Sequence, residues 1–145
     1  TLPPFPVVLI GMALRPVAGF STMLLYLAEG AAGLPVFSPA GPGGLAHLLG
    51  PTGGFLFAYP LTAAAAGWIV RSLSPSVSRF SRAIVAGIGS SIVTFAIGAA
   101  WLASLLHLNG TAVWSLAVAP FLLGEAIKIT AAAGTFSAFQ QWRRS

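Results

Sequence analysis

The sequence predicts an all-α fold, a polytopic transmembrane helical bundle forming one domain over residues 1–145. Three observations carry this. Of the 145 residues, 57% are apolar and 6% charged, against roughly 25% charged in an ordinary soluble domain. One small core cannot hide that much apolar side chain from water, so the excess must face lipid. The apolar residues gather into five stretches, and the cations gather in alternate connections between them.

A bilayer core is about 30 Å thick, so a crossing helix needs about 17–25 mostly apolar residues. Val7–Leu14 is the weakest stretch. Its residues rise only about 12 Å at 1.5 Å each, which leaves a remnant of a longer helix, a re-entrant piece, or a tilted segment breaking at Arg15-Pro16. Val17–Leu34 carries only Glu29, and Phe55–Val70 and Ile84–Leu106 are uncharged. Ala112–Phe139 carries Glu125 and Lys128. Its Pro120 and Gly124 are expected to loosen the helix and free carbonyls, with the residues before Pro120 forming a separate short piece. The chain opens Thr-Leu-Pro-Pro, with no initiator Met or basic n-region. It is therefore not read as a signal peptide, and its start is expected to be truncated.

If the five stretches alternate across the membrane, Arg15, the loop with Arg71, Arg79 and Arg82, and the tail with Arg143 and Arg144 share one side. The opposite connections, Gly33–Gly54 and His107–Gly110, contain no Lys or Arg. The positive-inside rule makes the cationic side cytoplasmic. This places the chain in the cell membrane, with Thr1 outside and the C-terminus cytoplasmic. The net charge of +5 comes from seven scattered basic residues. That distribution suits topology, and it argues against a nucleic-acid partner.

Small residues recur every four positions at Ala86, Ser90, Thr94 and Gly98, and again at Thr130, Gly134 and Ala138. Such spacing lets helix backbones approach closely in lipid. Both stripes are expected to pack against neighbouring helices, with docking of another subunit as the alternative.

Two places could carry chemistry. Glu125 and Lys128 are three apart and share a helix face. Each charge at mid-bilayer costs about 2.5–3.5 kcal/mol on insertion scales, so a chain this poor in charge has little reason to keep both without a use. Counting back from Trp142 puts Lys128 about 10 Å below the outer surface. A lysine there offers three donors and a charge to an anionic group, and the carboxylate accepts from N–H donors. Together they fit a small molecule bearing a carboxylate at one part and amide-like N–H groups at another. The alternatives are a structural ion pair that steadies a membrane scaffold, or a thin proton relay. The second place is the outer loop Gly33–Gly54. It runs to about 20 residues where ordinary connections take about 4–6. Leu34, Val36, Phe37, Leu45, Leu48 and Leu49 give it an apolar side to bury, and its glycines allow close approach of backbone to a ligand. It lacks the lysine of a phosphate-cradling loop.

Enzyme chemistry finds few parts. There is no cysteine, and the two acids are distant in sequence from His47 and His107, so no metal site is expected. Both histidines read as surface groups. No G-x-S-x-G elbow exists, and no cofactor is implied. Tyr26, Phe55, Phe57, Tyr59, Trp101 and Trp114 read first as an interfacial belt and second as a pocket lining.

Gly33-Leu-Pro-Val-Phe, a glycine-rich run, and then Leu49-Gly-Pro-Thr-Gly-Gly-Phe55 resemble the loop of the BioY family. Pro120-Phe-Leu-Leu-Gly-Glu-Ala-Ile-Lys128 resembles that family's Pro-Phe-x-x-Gly-Asp-x-x-Lys stretch in its last helix. The resemblance runs from about Val7 to the end. It implies six transmembrane helices and high-affinity biotin capture by the S component of an energy-coupling-factor (ECF) transporter. Uptake would then need a transmembrane coupling subunit and a pair of ABC ATPases as partners. By position, Lys128 resembles the residue that meets the biotin carboxylate. Glu125 stands where the family has an Asp at the ureido ring, one methylene shorter. The loop resembles the segment that closes over ligand, with Phe37 the expected loop contact. The family's first helix has no counterpart ahead of Val7. An S component for another carboxylated vitamin is the nearest rival reading.

Overall fold

The computed structural model describes residues 4–37 and 40–145. Thr1, and Ser38 and Pro39 of the outer loop, lie outside the described residues. Each of the five apolar stretches becomes a helix. They are α1 (Pro4–Ala13), α2 (Pro16–Ala31), α4 (Gly53–Ser72), α5 (Arg79–Leu106) and a last composite helix ending in α7 (Leu122–Trp142). A single-turn α3 (Leu45–Leu48) interrupts the outer loop. Among the described residues, three helical stretches are long and apolar enough to cross a membrane: Gly53–Ser72, Arg79–Leu106 and Gly110–Trp142. The first two helices are shorter, at 10 and 16 residues.

Local chemistry fixes the boundaries. Pro16 opens α2, where its missing N–H is no loss. Ser78 caps α5 by accepting from the Ser81 N–H at 3.1 Å. Asn109 caps α6 (Gly110–Val113) by accepting from Ala112 N–H at 2.8 Å. The expected loosening near Pro120 is present. After α6 the chain widens into a π turn over Trp114–Val118 and tightens to a 3-10 turn over Ala119–Phe121, and only then does α7 begin. Pro120 has no N–H, and its ring crowds the carbonyl four residues back, which favours a break here, although Pro60 is carried within the continuous helix α4.

Helix α1 is the surprise. It is too short to cross alone, yet one face of it is packed into the bundle, while α4 is the most buried of the long helices. Val7, Val8 and Met12 are buried, Met12 completely. Val8 and Met12, with Ala66, Val70, Ala83, Ala132, Ala133 and Phe136, form the core near one end of the bundle, while Val7 joins the other core. The other core, near the loop, joins Met23, Leu27, Leu48, Leu56, Tyr59 and Ala63. Arg71 ties α1 to α4, its Nη1 donating to the Met12 and Gly67 carbonyls at 3.2 and 2.9 Å. The alternating topology therefore places all six loop cations at one end and the long loop at the other.

The two small-residue stripes behave differently. Ala86, Ser90, Thr94 and Gly98 are all buried, and a Cβ on Gly98 would strike the Phe55 ring at 2.3 Å. Thr62 and Thr94 join α4 to α5 with a 2.7 Å hydrogen bond. Thr130, Gly134 and Ala138 are exposed instead, and a Cβ on Gly134 would meet nothing. Packing of the second stripe within this chain is thus corrected.

The loop folds back onto the bundle. Trp101 Nε1 donates to the Gly50 carbonyl at 2.9 Å, and Leu48 is buried. Leu34, Leu45 and Leu49, expected to be buried, are exposed. Trp101→Phe should remove about 1 kcal/mol of hydrogen bonding and loosen this anchor. Faster amide exchange over residues 45–52, with the helices unaffected, is the expected result.

Candidate functional site

The last helix turns Glu125 toward α5, in the first turn of α7 after the π and 3-10 turns. The carboxylate is half-buried, and its Oε1 accepts from the hydroxyl of Ser91, a buried residue of α5. Both line a groove of about 690 Å³ between α5 and the last helix. Ile88, Ile92, Phe95, Trp114 and Leu122 supply its apolar walls. That volume lies in the range of small-molecule sites, which are mostly apolar with a few placed polar groups.

Lys128 is one turn further on. It is half-buried and does not line this groove. At 100° per residue it stands about 60° around the helix from Glu125. Among the described residues the Glu125 carboxylate takes its hydrogen bond from Ser91 and not from Lys128. The two charges share a face without forming an ion pair, so the structural-pair reading loses its central contact.

Phe37 lies at the loop end, over α2. Its ring fills the space above Gly30, where a Cβ would sit 2.0 Å from it. Tyr26 meets it edge-on with centroids 5.6 Å apart, and His47 stacks on it at 5.3 Å. Tyr26 also donates to the Val36 carbonyl at 2.9 Å, pinning the loop. Tyr59 follows at 6.4 Å from Tyr26, and its hydroxyl lies within electrostatic range of Glu125. An aromatic run of Phe37, Tyr26 and Tyr59 thus leads from the loop toward the acid.

Of the residues singled out from sequence, Glu125 lies in the groove beside α5 and Phe37 packs at the loop end. Sequence reasoning missed Ser91, and it ranked Tyr26 and Tyr59 first as interfacial aromatics when both are packed inward. It read His47 as a surface group, whereas His47 stacks on Phe37 and its Nδ1 lies 3.1 Å from the Pro42 carbonyl. Among the described residues no cluster of three metal-ligating side chains occurs.

Comparison with known proteins agrees with this architecture. The BioY family model matches residues 1–145. A probable biotin transporter BioY from Pyrococcus horikoshii is 36% identical over 132 residues, covering 91% of this chain and 74% of its own. The biotin transporter BioY of Rhodobacter capsulatus is 31% identical, covering 100% and 80%. The crystal structure of the S-component for biotin from an ECF-type ABC transporter superposes with a TM-score of 0.83 at 25% identity. It covers 97% of this chain and 74% of that one.

Proposed function

This chain belongs to the BioY family, and we propose on that premise that it captures biotin as the membrane-embedded S component of an ECF-type ABC transporter. The observation that carries the site is the Glu125 carboxylate, held by Ser91 in an apolar groove of ligand size. A ring bearing urea-like N–H groups complements that acceptor, and its apolar remainder complements the groove walls. Lys128, one turn away, takes the carboxylate of the valeryl chain. Phe37 closes the loop end against Tyr26 and Tyr59. Excluding water there strengthens each polar contact.

Transport energy comes from elsewhere. The reading assigns it to a transmembrane coupling subunit and a pair of ABC ATPases that this chain docks against. The arginine-bearing end, with the C-terminus, faces the cytoplasm, and the loop end receives biotin from outside.

The test is equilibrium binding of labelled biotin to the purified chain, with other carboxylated vitamins as competitors. Biotin is expected to bind and the competitors to fail; a competitor that displaces biotin at equal concentration would shift the substrate assignment. Ser91→Ala should weaken binding about 10-fold, the lower end of what one hydrogen bond to a charged group is worth. With Glu125→Asp already in place, one methylene shorter and short of Ser91, the same substitution should change little. Equal losses in both backgrounds would make Ser91 a packing residue rather than the one that positions the acid.

A further inference from the structure

At the end of the bundle opposite the loop, a cleft of about 70 Å³ opens between α4, α5 and α7, lined by Val70, Arg71, Arg82, Phe136 and Gln140. The Arg82 Nε is buried and has no hydrogen-bond partner among the described residues. A buried N–H of a charged group without an acceptor is rare in folded proteins and needs an explanation. Arg71 commits Nη1 to two carbonyls, while its side chain still walls the cleft. Arg15 is within electrostatic range of it.

Among the described residues no acidic side chain lines this cleft. The only two acids are Glu29 and Glu125. The first lies in the last turn of α2, toward the loop, and the second faces Ser91. Arg79 and Arg82 also stand in the first turn of α5. The partial positive charge of a helix N-terminus opposes cations there and favours an anion. Two arginines and an orphan donor therefore meet at one small space.

We propose that this cleft binds the phosphate group of an anionic phospholipid. The volume admits a single tetrahedral oxyanion and excludes a nucleotide. Guanidinium groups match paired phosphate oxygens in a planar fork, and a small shift of the Arg82 side chain would turn its Nε donor, covered in this conformation, toward the anion. Gln140 adds an amide. Val70 and Phe136 give the cleft an apolar wall, which suits a phosphate carried on acyl chains better than a free ion. Its position at the ends of the spanning helices is where headgroups lie.

The experiment titrates the detergent-solubilised chain with phosphatidylglycerol, phosphatidylcholine and inorganic phosphate, reading the thermal midpoint and lipid adducts by native mass spectrometry. Phosphatidylglycerol is expected to raise the midpoint by about 2–5 °C and to give a retained adduct; phosphatidylcholine is expected to do neither. Arg82→Gln should lose both effects. Arg82→Lys keeps the charge without the fork, so it folds where the glutamine variant fails, and it should retain less than half of the shift. Equal stabilisation by the two lipids, or an undiminished shift in Arg82→Lys, overturns the proposal. A full effect from inorganic phosphate alone overturns the lipid as its source.

Discussion

Lys128→Ala is expected to lower biotin affinity about 100-fold while leaving membrane insertion and helix content unchanged. The carboxylate of the ligand enters a region where water is scarce and the nearest acid, Glu125, has the wrong sign. Removing one partner of a buried charge pair costs about 3–5 kcal/mol, because the other charge is left uncompensated. Lys128 is only half-buried, which favours a smaller loss, and 1.4 kcal/mol corresponds to a factor of ten. Lys128→Arg should recover part of the affinity, since the charge survives in a different shape. Biotin amide is the sharper control. It carries no carboxylate, so wild type and Lys128→Ala should bind it equally. Unchanged biotin affinity in Lys128→Ala would remove this residue from the site, and a matching loss for the amide would make its role structural.

Much of this arrangement is legible in the sequence because lipid is an unforgiving solvent. Backbone polar groups must be satisfied within each segment, so five apolar stretches had to become helices, and the irregular turns fall around Pro120 as expected. The gathering of the loop arginines at one end of the bundle was legible in their spacing. What hydropathy does not encode is which apolar surface meets lipid and which meets protein. Val7–Leu14 reads as an incomplete span, yet Val7, Val8, Gly11 and Met12 are buried against the other helices. The two small-residue stripes have the same spacing, and only that of α5 is covered. Spacing says that a helix can be approached, not that a neighbour is present. Ser91 escaped for a related reason. Hydroxyl groups are common in membrane helices and usually bond to their own backbone, as Thr130 and Thr135 do. The signal that points to Ser91 is the acid itself, since a carboxylate drawn inside a bundle needs a donor. Phe37 was legible through the loop motif, but its seat on Gly30 depends on a three-dimensional match that no local pattern records.

Gly11→Ala should destabilise the bundle more than any other change of one methyl group in α1. At Gly11 a Cβ would stand 2.4 Å from the Ala63 carbonyl oxygen and 2.8 Å from its Cα. On the facing helix a Cβ at Gly67 would stand 2.6 Å from the Gly11 oxygen. Helices α1 and α4 therefore cross backbone on backbone, and no side-chain rotation can relieve an added methyl. The helices must separate, which strips dispersion contacts from Met12, Ala63 and Ala66, all fully buried, and stretches the Arg71 bond to Met12. Overpacking of this kind costs about 1–3 kcal/mol, and the lost contacts add to it. The thermal midpoint in detergent should fall by about 5–10 °C. Gly134→Ala provides the matched comparison: the same methyl on a helix position with open space around it, where alanine's better helix propensity leaves stability level or slightly higher. A Gly11→Ala midpoint equal to that of Gly134→Ala would mean that the two helices do not touch at this point. The short first helix would then owe its place to side chains alone.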